Sequence, residues 1–91
     1  MAYSVELTNR AKKELASLEK KTQLVIAHYL RDKLEGSENP KMVPGAKKLE
    51  GVENGWRWRI GVYRILGVME GNILTITVFK IDHRKSVYKN L

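Results

Sequence analysis

The chain has no cysteine among its 91 residues, and its two histidines, His28 and His83, lie far apart. A disulfide scaffold and a thiolate metal site are therefore excluded. Two isolated histidines also fall short of the clustered ligands that a structural zinc site needs. No residue is a candidate metal ligand, and no cofactor is expected. No apolar run approaches the roughly 20 residues needed to cross a bilayer. The N-terminus shows no basic leader followed by an apolar core, so the expected setting is cytoplasmic, without a membrane. Glycine-rich phosphate loops, the G-x-S-x-G elbow and a cysteine nucleophile are all missing. The ten acidic residues fall mostly on expected helix surfaces and loops, which gives little support to an enzyme built on two carboxylates.

Basic residues dominate instead. Seventeen lysines and arginines give a net charge of +7. Residues 1–45 carry eight basic and six acidic residues (+2), and residues 46–91 carry nine and four (+5). The C-terminal half thus supplies most of the field that steers a polyanion.

Periodicity divides the chain into a single α+β domain spanning residues 1–91. Residues 2–7 alternate, with Tyr3, Val5 and Leu7 on one side, as in a half-buried strand. Thr8 or Asn9 caps a first helix whose apolar stripe is Ala11, Leu15 and Leu18. Thr22 is expected to cap a second helix carrying Val25, Ile26, Tyr29, Leu30 and Leu34 and ending at Gly36. The two helices form a hairpin. Pro40, Pro44 and Gly45 punctuate a connector over residues 37–50, with a short turn expected over residues 46–49. The period then switches to two. Residues 55–60, 62–69 and 73–82 read as three strands of an antiparallel meander, turning near Gly61 and at Glu70-Gly71-Asn72. Residues 73–79 are apolar at nearly every position, as expected of a central strand covered on both faces. Residues 83–91 add a short C-terminal helix or edge segment. The helices pack on one face of the sheet, and polar chemistry belongs on the other.

Arg57 and Arg59 alternate with Trp56, Trp58 and Ile60, so one strand face can grip phosphate while its reverse packs on the helices. Guanidinium groups bind phosphate bidentately and stay charged at any working pH. Arg64 lies just past the Gly61 turn. His83, Arg84 and Tyr88 follow the last strand, and a fold can return them beside these arginines. Lys47, Lys48, Lys80 and Lys85 add charge for binding RNA, the first candidate polyanion. Arginines can also serve as edge-strand charges that discourage aggregation. His83 can move a proton or be a hydrogen-bonded strand-end residue. Tyr88 can stack on a base, donate a proton or anchor the tail in the core. Trp56 and Trp58 belong to packing.

The run K-K-L-x-G at residues 47–51, then W-R-W-R-I-G-V-Y-R-I, an apolar strand and I-D-H-R-x-x-V-Y, resembles the RelE/ParE superfamily of toxins from toxin–antitoxin systems, and within it the RelE branch. The resemblance covers nearly the whole chain. It implies a microbial-ribonuclease-like sandwich and ribosome-dependent cleavage of mRNA in the A site. The 2′-hydroxyl would be the nucleophile, no metal would take part, and a 2′,3′-cyclic phosphate would remain. It further implies a cognate RelB-like antitoxin, and operator DNA contacted only through the toxin–antitoxin complex. By position, Arg57 and Arg59 match the paired basic residues, Arg64 the arginine of the Y-R motif, Arg84 the arginine after the last strand and Tyr88 the C-terminal tyrosine.

Three departures stand out. The paired positions are lysines in some active relatives, and arginine hardly exchanges a proton, so Arg57 and Arg59 suit electrostatic stabilisation better than base catalysis. His83, Tyr88 or ribosomal RNA remain as candidate bases. Val62 replaces a residue often polar, and Gly67 one often aromatic. Two other readings share the pattern: a ParE-type gyrase inhibitor without nuclease activity, and a basic RNA-binding module without catalysis.

Overall fold

Thr8 starts the first helix as its residue type predicts. Its hydroxyl accepts from the Ala11 amide at 3.1 Å and satisfies one of the helix's free N–H groups. The computed structural model describes residues 2–83. The strand β1 (Ser4–Leu7) leads into α1 (Asn9–Ala16) and α2 (Lys20–Tyr29), and α2 runs on through a π-helical turn, Leu30–Leu34. A single 3-10 turn, Pro40–Met42, precedes β2 (Ala46–Lys48), β3 (Gly55–Ile60), β4 (Tyr63–Glu70) and β5 (Thr75–His83). The second helix begins at Lys20, before the expected Thr22, and its N-cap Glu19 makes no capping side-chain bond.

The five strands form one sheet in the order β1-β5-β4-β3-β2. The expected meander is β3-β4-β5, antiparallel throughout. Two features extend it. Residues 46–48, expected as a turn, form the edge strand β2 against β3; three residues are too few for a period to show. The N-terminal strand joins the other edge parallel to β5, so the sheet is mixed. The central strand is β4 rather than the apolar β5, and the described helices lie on one face. Thr75 and Thr77 are accordingly half-buried on the other face.

Ala11, Ile26, Leu30 and Leu34 from the helical layer meet Trp58, Ile65, Met69, Ile76, Val78 and Ile81 from the sheet. Trp58 is fully buried, and its indole donates to the Pro40 carbonyl at 3.0 Å. Gly67 explains its own departure from an aromatic residue. A Cβ there would stand 3.3 Å from the Trp58 ring and 3.1 Å from the Thr77 carbonyl. The missing side chain thus makes room for the indole.

One irregularity sets the phase of β5. Gly67 pairs with Val78 and Leu66 with Lys80, so Phe79 is an extra residue in a β-bulge. Before it, Ile76 and Val78 face the helices. After it, Ile81 does, and Lys80 and Asp82 turn to the opposite face. Beyond Val78, where β1 has already ended, Glu14 of α1 accepts from the Ile81 amide at 3.0 Å. That bond satisfies a donor the departed strand leaves free.

Tyr29 ties the connector to the helices by donating to the Pro44 carbonyl at 3.2 Å. Burial raises its pKa. Because the folded value lies above the unfolded one, the stabilisation is complete below about pH 10 and is lost as pH rises further. Tyr29→Phe should flatten the alkaline limb of a denaturation curve above that pH, and an unchanged limb would contradict the assignment. Trp58→Phe removes the indole donor and leaves the buried Pro40 carbonyl only the longer 3.3 Å bond from the Val43 amide. It should cost about 1–3 kcal/mol, measured as a lower urea midpoint at constant slope.

Candidate functional site

Strand pairing turns one-dimensional alternation into rows, because residues directly opposite each other share a face. On the face away from the helices, Arg59 pairs with Arg64, and Arg64 pairs with Asp82. The next row runs Lys47, Arg57, Leu66 and Lys80. Five basic side chains therefore occupy two adjacent rows spanning β2 to β5. Gly45 holds the edge of this array in place. It adopts φ +92°, and a Cβ there would fall 2.8 Å from the Arg59 carbonyl, while its own carbonyl accepts from the Arg59 amide at 3.2 Å.

Arg59 is exposed, and Arg57 and Arg64 are half-buried. The Arg64 Nε is itself buried and has no hydrogen-bond partner among the described residues. A buried guanidinium donor left unpaired is costly, and an incoming anion would satisfy it. Lys80 is the basic residue of the array with a carboxylate in reach: its Nζ lies 3.6 Å from Asp82 Oδ2.

Two residues expected at the site stand elsewhere. Lys48 pairs with Trp56 on the helix side of the sheet edge, where both line a cavity of about 600 Å3 with Lys41. His83 pairs with Tyr63 and meets its ring edge-on, with centroids 5.0 Å apart. The bulge at Phe79 places His83 on the helix side, away from the arginines. Arg84, Lys85 and Tyr88 lie outside the described residues. Asp82, which the sequence reading passed over, stands in the arginine row. The buried set Ile76, Val78 and Ile81 carries the bulge as a step of three, but the apolar Phe79 between them masks that step in the sequence.

Among the described residues no group of three or more His, Cys, Asp or Glu side chains converges as a metal cluster would. No described helix is long and apolar enough to cross a membrane.

The RelE toxin fold is visible in three solved relatives. The toxin–antitoxin complex RelBE2 from Mycobacterium tuberculosis gives a TM-score of 0.77 at 21% identity, over 92% of this chain and 100% of that one. The archaeal RelE–RelB complex from Pyrococcus horikoshii gives 0.74 at 29% identity, over 92% and 97%. A mutant of the E. coli toxin RelE in the free state gives 0.73 at 22%, over 98% and 93%. A comparison with curated protein sequences finds no match. The family model of the ParE toxin of the type II toxin–antitoxin system parDE matches residues 5–88. The chain therefore belongs to this ParE toxin family, within the RelE/ParE superfamily, and is the toxin of a type II toxin–antitoxin system.

Proposed function

We propose that this toxin is a ribosome-dependent endoribonuclease of the RelE type, which arrests translation by cutting mRNA in the A site. The observation that carries the reading is the double row of Lys47, Arg57, Arg59, Arg64 and Lys80 on one sheet face. The face is built on strands, and its two parallel rows of charge suit an extended polyanion better than a small molecule.

In this reading the guanidinium groups of Arg57, Arg59 and Arg64 hold the scissile phosphate. The 2′-hydroxyl attacks the adjacent phosphorus, the 5′-oxygen leaves, and a 2′,3′-cyclic phosphate remains. Charge grows on the non-bridging oxygens as the phosphorus becomes five-coordinate. Fixed cationic donors stabilise that charge more than they stabilise the ground state. Arg84 and Tyr88, outside the described residues, carry the further catalytic roles that the RelE resemblance implies. Basic residues along the face meet the ribosome and its mRNA through phosphate contacts.

The partner is a RelB-like antitoxin that covers the basic face. Structures of RelE with RelB from Pyrococcus horikoshii and Methanococcus jannaschii support it. Operator DNA is met only through that complex. The ParE family match keeps one second reading in view, a gyrase inhibitor. It predicts DNA breaks after induction, where the nuclease predicts translation arrest without them.

Purified toxin added to a translating extract should cut mRNA within codons, leave 2′,3′-cyclic phosphate ends and spare naked RNA. Arg64→Ala should lower single-turnover cleavage by roughly 100- to 1,000-fold while the melting temperature stays within a few degrees. Full activity in that variant would falsify the reading.

A further inference from the structure

Arginines that hold a phosphate leave open what removes the proton from the 2′-hydroxyl. A guanidinium cannot accept one, and a charged lysine has no free lone pair. On the two rows of the arginine face, the described residues offer one carboxylate. It is Asp82, cross-strand from Arg64 and thus within about 4.5–5.5 Å of it between Cβ atoms. We propose that Asp82 is the general base of the cleavage reaction, an assignment that rests on the nuclease reading above.

Its setting suits the role. Oδ1 accepts from the His83 amide at 2.9 Å, which fixes the orientation of the carboxyl group. Oδ2 lies 3.6 Å from Lys80 Nζ, beyond a strong hydrogen bond, and so keeps lone-pair capacity. The side chain is 18% exposed, sheltered from bulk water yet reachable. Among the described residues, the charged groups on its face are Lys80 on its own strand and Arg64 and Arg59 across the sheet. His83 follows in the chain, and on the far side of β5 Glu14 holds the Ile81 amide. Asp82 owes its place in the row to the bulge at Phe79, since regular alternation would send it toward the helices.

The step balances without a metal or co-reactant. The Asp82 carboxylate takes the 2′-hydroxyl proton, and O2′ forms a bond to phosphorus. The P–O5′ bond breaks, and the leaving oxygen takes its electron pair and a proton from solvent. Asp82 then returns its own proton to solvent.

The test is single-turnover cleavage of mRNA on programmed ribosomes with the full-length toxin. Asp82→Asn keeps an oxygen that accepts from His83, and should lose at least about 100-fold in rate. The ribosome concentration giving half-maximal rate should not move. Asp82→Ala should be equally slow and regain cleavage with added formate, in proportion to formate concentration, and Asp82→Glu should regain part of it. A residue that merely braces the strand would show no formate dependence. Cleavage by Asp82→Asn within about threefold of wild type, loss of its fold, or no rescue by formate would each overturn the assignment. A wild type that leaves mRNA intact on ribosomes is a separate outcome: it removes the nuclease reading and this inference with it.

Discussion

The register between β4 and β5 decides which side chains meet on each face of the sheet, and the bulge opposite Leu66 and Gly67 sets that register. A strand has a side-chain period of two, so one inserted residue reverses every side chain after it. Here the reversal keeps Ile81 in the core, brings Lys80 and Asp82 to the arginines, and removes His83 from them. Glu14 helps by holding the Ile81 amide at the point where β1 no longer covers β5. Core packing and the candidate chemistry therefore depend on the same backbone irregularity.

Packing and charge are separated just as sharply on β3. Trp58 is buried and hydrogen-bonded through its indole, and Gly67 leaves space for its ring. Its neighbours Arg57 and Arg59 face the other way. A like-charged pair directly across a sheet, such as Arg59 and Arg64, is destabilising in the absence of an anion. The buried Nε of Arg64, without a partner among the described residues, adds to that cost. Asp82 at the end of the row offsets part of it. Local strain of this kind fits a surface kept for a ligand that brings its own negative charge.

Much of this could be read in the sequence, for physical reasons tied to particular residues. Thr8 at the head of α1, the alternation Trp56-Arg57-Trp58-Arg59 and the turn at Gly61 each carry a local signal, and the fold obeys them. The phase of β5 did not show, because Ile73 to Phe79 is apolar at almost every position and hides the extra residue. The strand at residues 46–48 is too short for any period. The parallel pairing of β1 depends on partners 71 residues away, which no local pattern encodes. The arginines were legible as a site because strand alternation alone groups them. Asp82 was passed over and His83 was placed beside the arginines because the bulge lies between these residues and the rest of the strand.

The claim at the centre of this account is that the arginine rows form the phosphate site. It is tested most directly by NMR titration of the labelled toxin with a single-stranded RNA whose 2′-hydroxyls are replaced by hydrogen. The account predicts saturable shifts of the Nε–Hε signals of Arg57, Arg59 and Arg64 and of the Lys80 and Asp82 amides, with Ile26 and Leu34 on the helix side unmoved. Shifts confined to the helix side, with the three arginines silent, would contradict it.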